Sequence, residues 1–151
     1  MLLTQATYAA DQPMPYLDAD PADLQRVHGL ADADLPEAAI LNGVWALESK
    51  LDEFCAQIPG AREVMERTAL VEVDGRRLWV IFVFGAAMAA THTHLAAVLG
   101  ARAILQIGTF GGLAPTARVA DVLVPSQIIG RDGVSRQLSR NRPITPNESL
   151  R

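Results

Sequence analysis

Cysteine is almost absent from this sequence: Cys55 stands alone among 151 residues. No internal disulfide can form, which excludes a disulfide-stapled secreted scaffold and points to a reducing, cytoplasmic setting. Aromatic residues are scarce, at 5%, and the basic residues are scattered without aromatics interleaved among them. Nucleic-acid binding is therefore not expected. The opening MLLTQATYAADQPMPYL has neither a basic leader nor a long apolar core, so no signal peptide is expected. Leu78 to Ala101 lacks Asp, Glu, Lys and Arg altogether, and its length alone could span a bilayer. However, it carries Thr91, His92, Thr93 and His94 together and a glycine break at Gly85. Its first half is β-branched and aromatic and its second half alanine-rich. That is the pattern of a buried strand followed by a buried helix, and no membrane span is expected.

What is present fits a globular chain of about one domain. Half of the residues are apolar and a fifth are charged, enough to build a sizeable core. The net charge of −4 conceals an asymmetry: residues 1–75 carry 14 acids against 4 bases, and residues 76–151 carry 3 acids against 9 bases. The basic half also holds the glycine-rich stretch GTFGG, so an anionic ligand there is one reading, and two solvated faces the other.

Along the chain, strand and helix patterns alternate. Residues 1–36 are polar, acidic and proline-bearing and read as an irregular arm, with an α/β domain over 37–151. EAAILNG reads as a short buried strand. Leu47, Leu51, Phe54, Cys55 and Ile58 recur at helical spacing until Pro59-Gly60. TALVEVDGRRLWVIFVFG reads as two strands joined by Asp74-Gly75, a strong hairpin signal. Met88, Thr91, His92, Leu95, Val98 and Leu99 mark a helix closed by Gly100. AILQIG reads as a central strand and VADVLVPSQII as a further strand, bent or at an edge because of its proline. The fold class expected is α/β, a mixed central sheet flanked by helices, with strand ends at Gly43, Gly85 and Gly108.

The stretch from Gly75 to Gly112, GRRLWVIFVFGAAMAATHTHLAAVLGARAILQIGTFGG, resembles the central segment of the uridine and purine nucleoside phosphorylase family. GTFGGLAPTARVADVLVP is similar to that family's Gly-Ser/Thr-x-Gly motif and the strand after it, and also to its nucleosidase branch. HGLADADLPEAAILNG resembles the lead-in and first strand, and GRDGVSRQL a later Glu/Asp-Gly-Thr/Ala-Ser stretch. The likeness covers about residues 28–140. It implies a nucleoside-phosphorylase-like fold and cleavage of a nucleoside's N-glycosidic bond in nucleoside salvage, with phosphate or water as acceptor. By the same resemblance Gly43, Gly108 and Thr109 would face phosphate or its replacement. His28 would match a histidine that reaches the nucleoside from a neighbouring subunit, so a homo-oligomer is expected. No cofactor is implied.

The departures bear on the acceptor. Where the family's phosphate-holding arginines would stand, this chain has Leu47, Val64 and Gln106; Val44 replaces an aspartate and Ala86 a glycine. An apolar residue cannot replace a bidentate guanidinium. Arg62 or Arg67 would serve only with a shift of register. The family continues well past residue 151 with its base-binding, ribose-binding and acid residues, so the chain is expected to be the N-terminal portion. A binding fragment without turnover is the alternative. His92 and His94 are two apart on a helix and point to different faces, and no metal site is expected. Asp132, Ser135 and Arg136 form a further polar cluster read as a loop near the site.

Overall fold

The computed structural model describes residues 20–140 and 142–145; the N-terminal stretch read for a leader, and the last residues of the chain, lie outside them. The chain opens on helix α1 (Pro21–Val27), started by Asp20, whose carboxylate accepts the Ala22 N–H at 2.8 Å, and by Pro21 in the first turn. A 3-10 turn at Asp32–Asp34 follows. Residues 20–36 are thus not the irregular arm that their polarity suggests. Leu30 is buried in the core, with Leu24 and Leu35 packed beside it.

Strand β1 (Ala38–Gly43), helix α2 (Leu47–Gln57), strand β2 (Arg62–Met65), strand β3 (Thr68–Val73) and strand β4 (Arg76–Val83) come next. Helix α3 (Gly85–Val98), strand β5 (Ile104–Gly108) and helix α4 (Gly133–Ser139) complete the set. The five strands form one sheet in the order β2-β3-β4-β1-β5. β4, β1 and β5 run parallel, while β3 is antiparallel to β4 and β2 to β3. The expected mixed α/β sheet is what the chain forms. Asp74 and Gly75 make the two-residue turn between β3 and β4, both at positive φ (51° and 71°), as a hairpin turn of this hand requires.

Side chains alternate across the sheet. Trp79, Ile81 and Val83 of β4 join Ala39, Leu41, Leu70, Ala96 and Leu99 on the face covered by α3 and Leu30. Leu78, Val80 and Phe82 join Ala38, Ala69, Val71 and Leu51 on the face covered by α2. Burial on both faces explains why β4 reads as an unbroken apolar run from Leu78 to Val83. The segment tested for a membrane span is therefore the end of β4 plus α3, and among the described residues no helix is long and apolar enough to cross a membrane.

Two expectations are corrected. β5 is not central; it is an edge of the sheet, and from Gln106 onward it is exposed. VADVLVPSQII forms no strand among the described residues. Its only pairing is an isolated bridge between Ile128 and Ile144, and Val119 and Val122 are almost fully exposed. Strand-like composition is not sufficient: a strand also needs a pairing partner, and this segment pairs with none of the five strands. The short charged strand β2 carries no such composition and is a strand nonetheless, through its pairing with β3.

Candidate functional site

β1, β4 and β5 end in one row. In the parallel register Gly43 is paired with Val83 on one side and with Gly108 on the other. The carboxyl ends of parallel strands are where open α/β sheets form their crevices. Gly43 and Gly108, 65 positions apart in sequence, are thus brought side by side, and Thr109 follows directly.

Neither glycine of the pair is dictated by the fold. Neither has a positive φ. A Cβ on Gly43 would lie 3.5 Å from the Ile107 carbonyl oxygen, and one on Gly108 would lie 4.0 Å from the Gly43 Cα. Those are ordinary contacts that the chain could accept. Gly112 differs, because a Cβ there would fall 2.7 Å from the Ala117 Cβ, so its smallness serves local packing. What Gly43 and Gly108 leave is uncovered backbone at the ends of two adjacent strands.

α3 begins two residues after Val83 and supplies the electrostatics. Its N-cap, Phe84, offers no side-chain acceptor; the Phe84 N–H itself meets the Met88 sulfur at 3.4 Å. The first N–H groups of a helix have no partner inside it, and the helix dipole concentrates positive potential there. Such an end accepts an anion or a lone pair. The Thr109 hydroxyl is exposed and takes no partner among the described residues. It does not cap its own turn.

The segments that follow the three strand ends are without charge. Residues 43–47 (GVWAL), 83–88 (VFGAAM) and 107–113 (IGTFGGL) contain no acid, base or histidine. Leu47 and Val44 are part of the apolar cluster under α2, and Val64 packs on the opposite cluster. Arg62 is drawn away by Asp34. Arg67 reaches this end of the sheet from the β2–β3 turn: its carbonyl accepts the Phe82 N–H at 2.9 Å, while its guanidinium pairs with Glu66 at 2.6 Å. Its Nε is buried without a hydrogen-bond partner.

The remaining expected residues stand elsewhere. His28 caps α1 and is exposed, and no hydrogen bond among the described residues joins it to Gly43, Gly108 or Thr109. Asp132 accepts the Ser135 N–H at 2.8 Å and caps α4; hydrogen bonding from the Ser135 side chain, and then from its N–H, holds the carboxyl below its ordinary value. Its role is local. His92 Nδ1 is 3.0 Å from the Met88 carbonyl. Among the described residues no group of three or more His, Cys, Asp or Glu could hold a metal ion.

Sequence reasoning passed over Trp45 and Phe84. Their rings lie 4.4 Å apart, tilted by 42°, immediately beyond the ends of β1 and β4. An exposed aromatic carries no periodic signal; position just past a strand end was the available clue.

Comparison with known families places the chain. The model of the phosphorylase superfamily matches residues 42–150, the greater part of the sequence. No curated protein matches it significantly. The chain belongs to the phosphorylase superfamily, as its ordered motifs suggested. The match takes in Gly43, Gly108 and Thr109 and begins after His28.

Proposed function

We propose that this chain acts on nucleosides in cytoplasmic nucleoside salvage, cleaving the N-glycosidic bond with phosphate or water as acceptor. In that cleavage positive charge develops on the ribose, so positioning and fixed dipoles matter more than a covalent nucleophile. The observation that carries the reading is the Gly43–Gly108 pair, Gly43 half-buried and Gly108 exposed, beside the uncapped start of α3. Backbone N–H groups there, with the Thr109 hydroxyl, suit an oxygen-rich ligand. If phosphate is the acceptor, Arg67 is the guanidinium at that end of the sheet, released from Glu66. Water requires no such exchange. His28 contributes from a second copy in a homo-oligomer, and neither nucleic acid nor membrane is a partner.

A second reading is favoured by one observation: among the described residues the rim holds no titratable side chain that could donate a proton to the leaving base. On this reading the chain binds a nucleoside without turning it over by itself. One assay separates the two. The purified chain is incubated with uridine, inosine and adenosine, with and without phosphate; base release is followed by chromatography and melting is recorded in parallel. Release supports the enzyme, and release that needs phosphate assigns phosphorolysis. Stabilisation without release assigns the binding protein. Neither release nor stabilisation overturns both.

A further inference from the structure

We infer that Trp45, braced by Phe84, is the wall on which the planar base of the ligand stacks; the inference rests on the nucleoside reading of the same strand-end site. The six described aromatic residues divide sharply. Trp79 and Phe82 are buried, and Phe54 packs on Phe82 with ring centroids 5.9 Å apart. The other three are exposed: Trp45 at 85%, Phe84 at 47% and Phe110 at 53%. Each of these follows the end of β1, β4 or β5 by one or two residues. Large aromatic side chains normally find the core or a binding surface, and here every exposed one stands on a single rim.

The local chemistry selects the occupant. The segments that carry the three rings, 43–47, 83–88 and 107–113, have no charged side chain, and Arg67 at that end of the sheet is paired with Glu66, so an ionic group is not what the rings recognise. Phe84 lies against Trp45 at an angle rather than parallel, which steadies the indole and leaves most of it open. A flat, uncharged heterocycle matches that surface, and its attached sugar would extend toward the bare backbone of Gly43 and Gly108. Stacking on an aromatic face is tolerant of base identity, which is the property expected of a wall rather than of a hydrogen-bonding reader.

The test exploits the two tryptophans of this chain, one open and one sealed. Iodide should quench Trp45 and leave Trp79, which is fully buried, untouched. Inosine or adenosine should protect Trp45 from iodide, whereas ribose and inorganic phosphate should not. By equilibrium dialysis, Trp45→Ala should weaken nucleoside binding at least about tenfold, while Trp45→Phe stays close to wild type. The melting temperature without ligand should not fall, because Trp45 belongs to neither core cluster. Undiminished nucleoside binding by Trp45→Ala overturns the inference while leaving the nucleoside reading standing. Protection that follows protein concentration instead of nucleoside overturns it in favour of a second copy of the chain. No nucleoside binding by the wild type overturns both.

Discussion

Trp79 donates its indole N–H to the backbone carbonyl of Asp34 at 2.7 Å. The bond links a fully buried residue of the middle strand to the turn that precedes β1. Around it Arg77 donates to the Asp32 carbonyl at 3.0 Å, and the Arg77 N–H reaches the Glu37 carboxylate at 2.9 Å. The acidic lead-in is therefore fastened to the start of β4 by hydrogen bonds, with Leu30 as its apolar anchor.

Replacing that indole measures the fastening. Trp79→Phe keeps an aromatic ring but loses the bond and some volume, and should cost about 1–3 kcal/mol. Trp79→Ala should cost about 3–5 kcal/mol. Urea denaturation reads both as a lower midpoint at unchanged slope.

Acid should loosen the same corner. The Arg62 guanidinium on its carboxylate, helped by the Ala31 N–H, holds the Asp34 carboxyl below its ordinary value. A carboxyl lowered in the folded state contributes stability that is complete above its unfolded pKa and is lost as pH falls through the folded one. Wild type should therefore lose stability more steeply than Asp34→Asn as pH drops below about 4. Parallel melting curves across that range are the check, and equal slopes would remove Asp34 from the account.

Gly108→Ala asks what the bare strand end is for. The added methyl would meet only contacts of 4.0 Å at an ordinary φ. Unliganded stability should change by less than about 1 kcal/mol. Stabilisation by nucleoside should nonetheless drop, because the methyl occupies the ligand's approach. A large loss of stability without ligand would return the glycine to a purely structural role.

Thr109→Val removes one hydroxyl and keeps the shape. That hydroxyl has no partner among the described residues, so the variant should melt like wild type. Its response to ribose, ribose 1-phosphate or phosphate should weaken by about 0.5–1.5 kcal/mol, more if the partner is anionic. An unchanged response in a less stable variant would count against a ligand-facing threonine.

Self-association is expected from the edge of β5 and the apolar side chains beyond it. Ile107, Leu113, Val119 and Val122 are exposed, and an edge unpaired among the described residues, beside such side chains, invites pairing. Light scattering over a dilution series should show dissociation, and Ile107→Lys on the edge strand should shift it to higher concentration. A monomer at high concentration would defeat the expectation.

The parts of the fold legible in the sequence are those whose signal is local. Apolar residues at every position from Leu78 to Val83 announce a strand buried on both faces, and Asp74-Gly75 announces the turn before it. The lead-in hid its role because Leu24, Leu30 and Leu35 anchor it at spacings that fit no single period. β2 hid because four residues with two charges carry no pattern. In the site, Gly43, Gly108 and Thr109 were readable as strand ends, but not that the two glycines would be partners. That depends on β1 lying between β4 and β5, and strand order leaves no mark on any one segment.

That same strand order governs when the site can exist. β1 pairs with β4 and β5, both distant in sequence, whereas β3 and β4 need only close a two-residue turn. Contacts between distant segments carry the larger loop-closure cost and tend to form late in folding. The hairpin can nucleate alone; the Gly43–Gly108 row arises only once β1 has slotted between its two neighbours. A ligand seated on that row would therefore slow unfolding and leave the folding rate almost untouched, acting as a latch on a finished sheet and not as a template for building it.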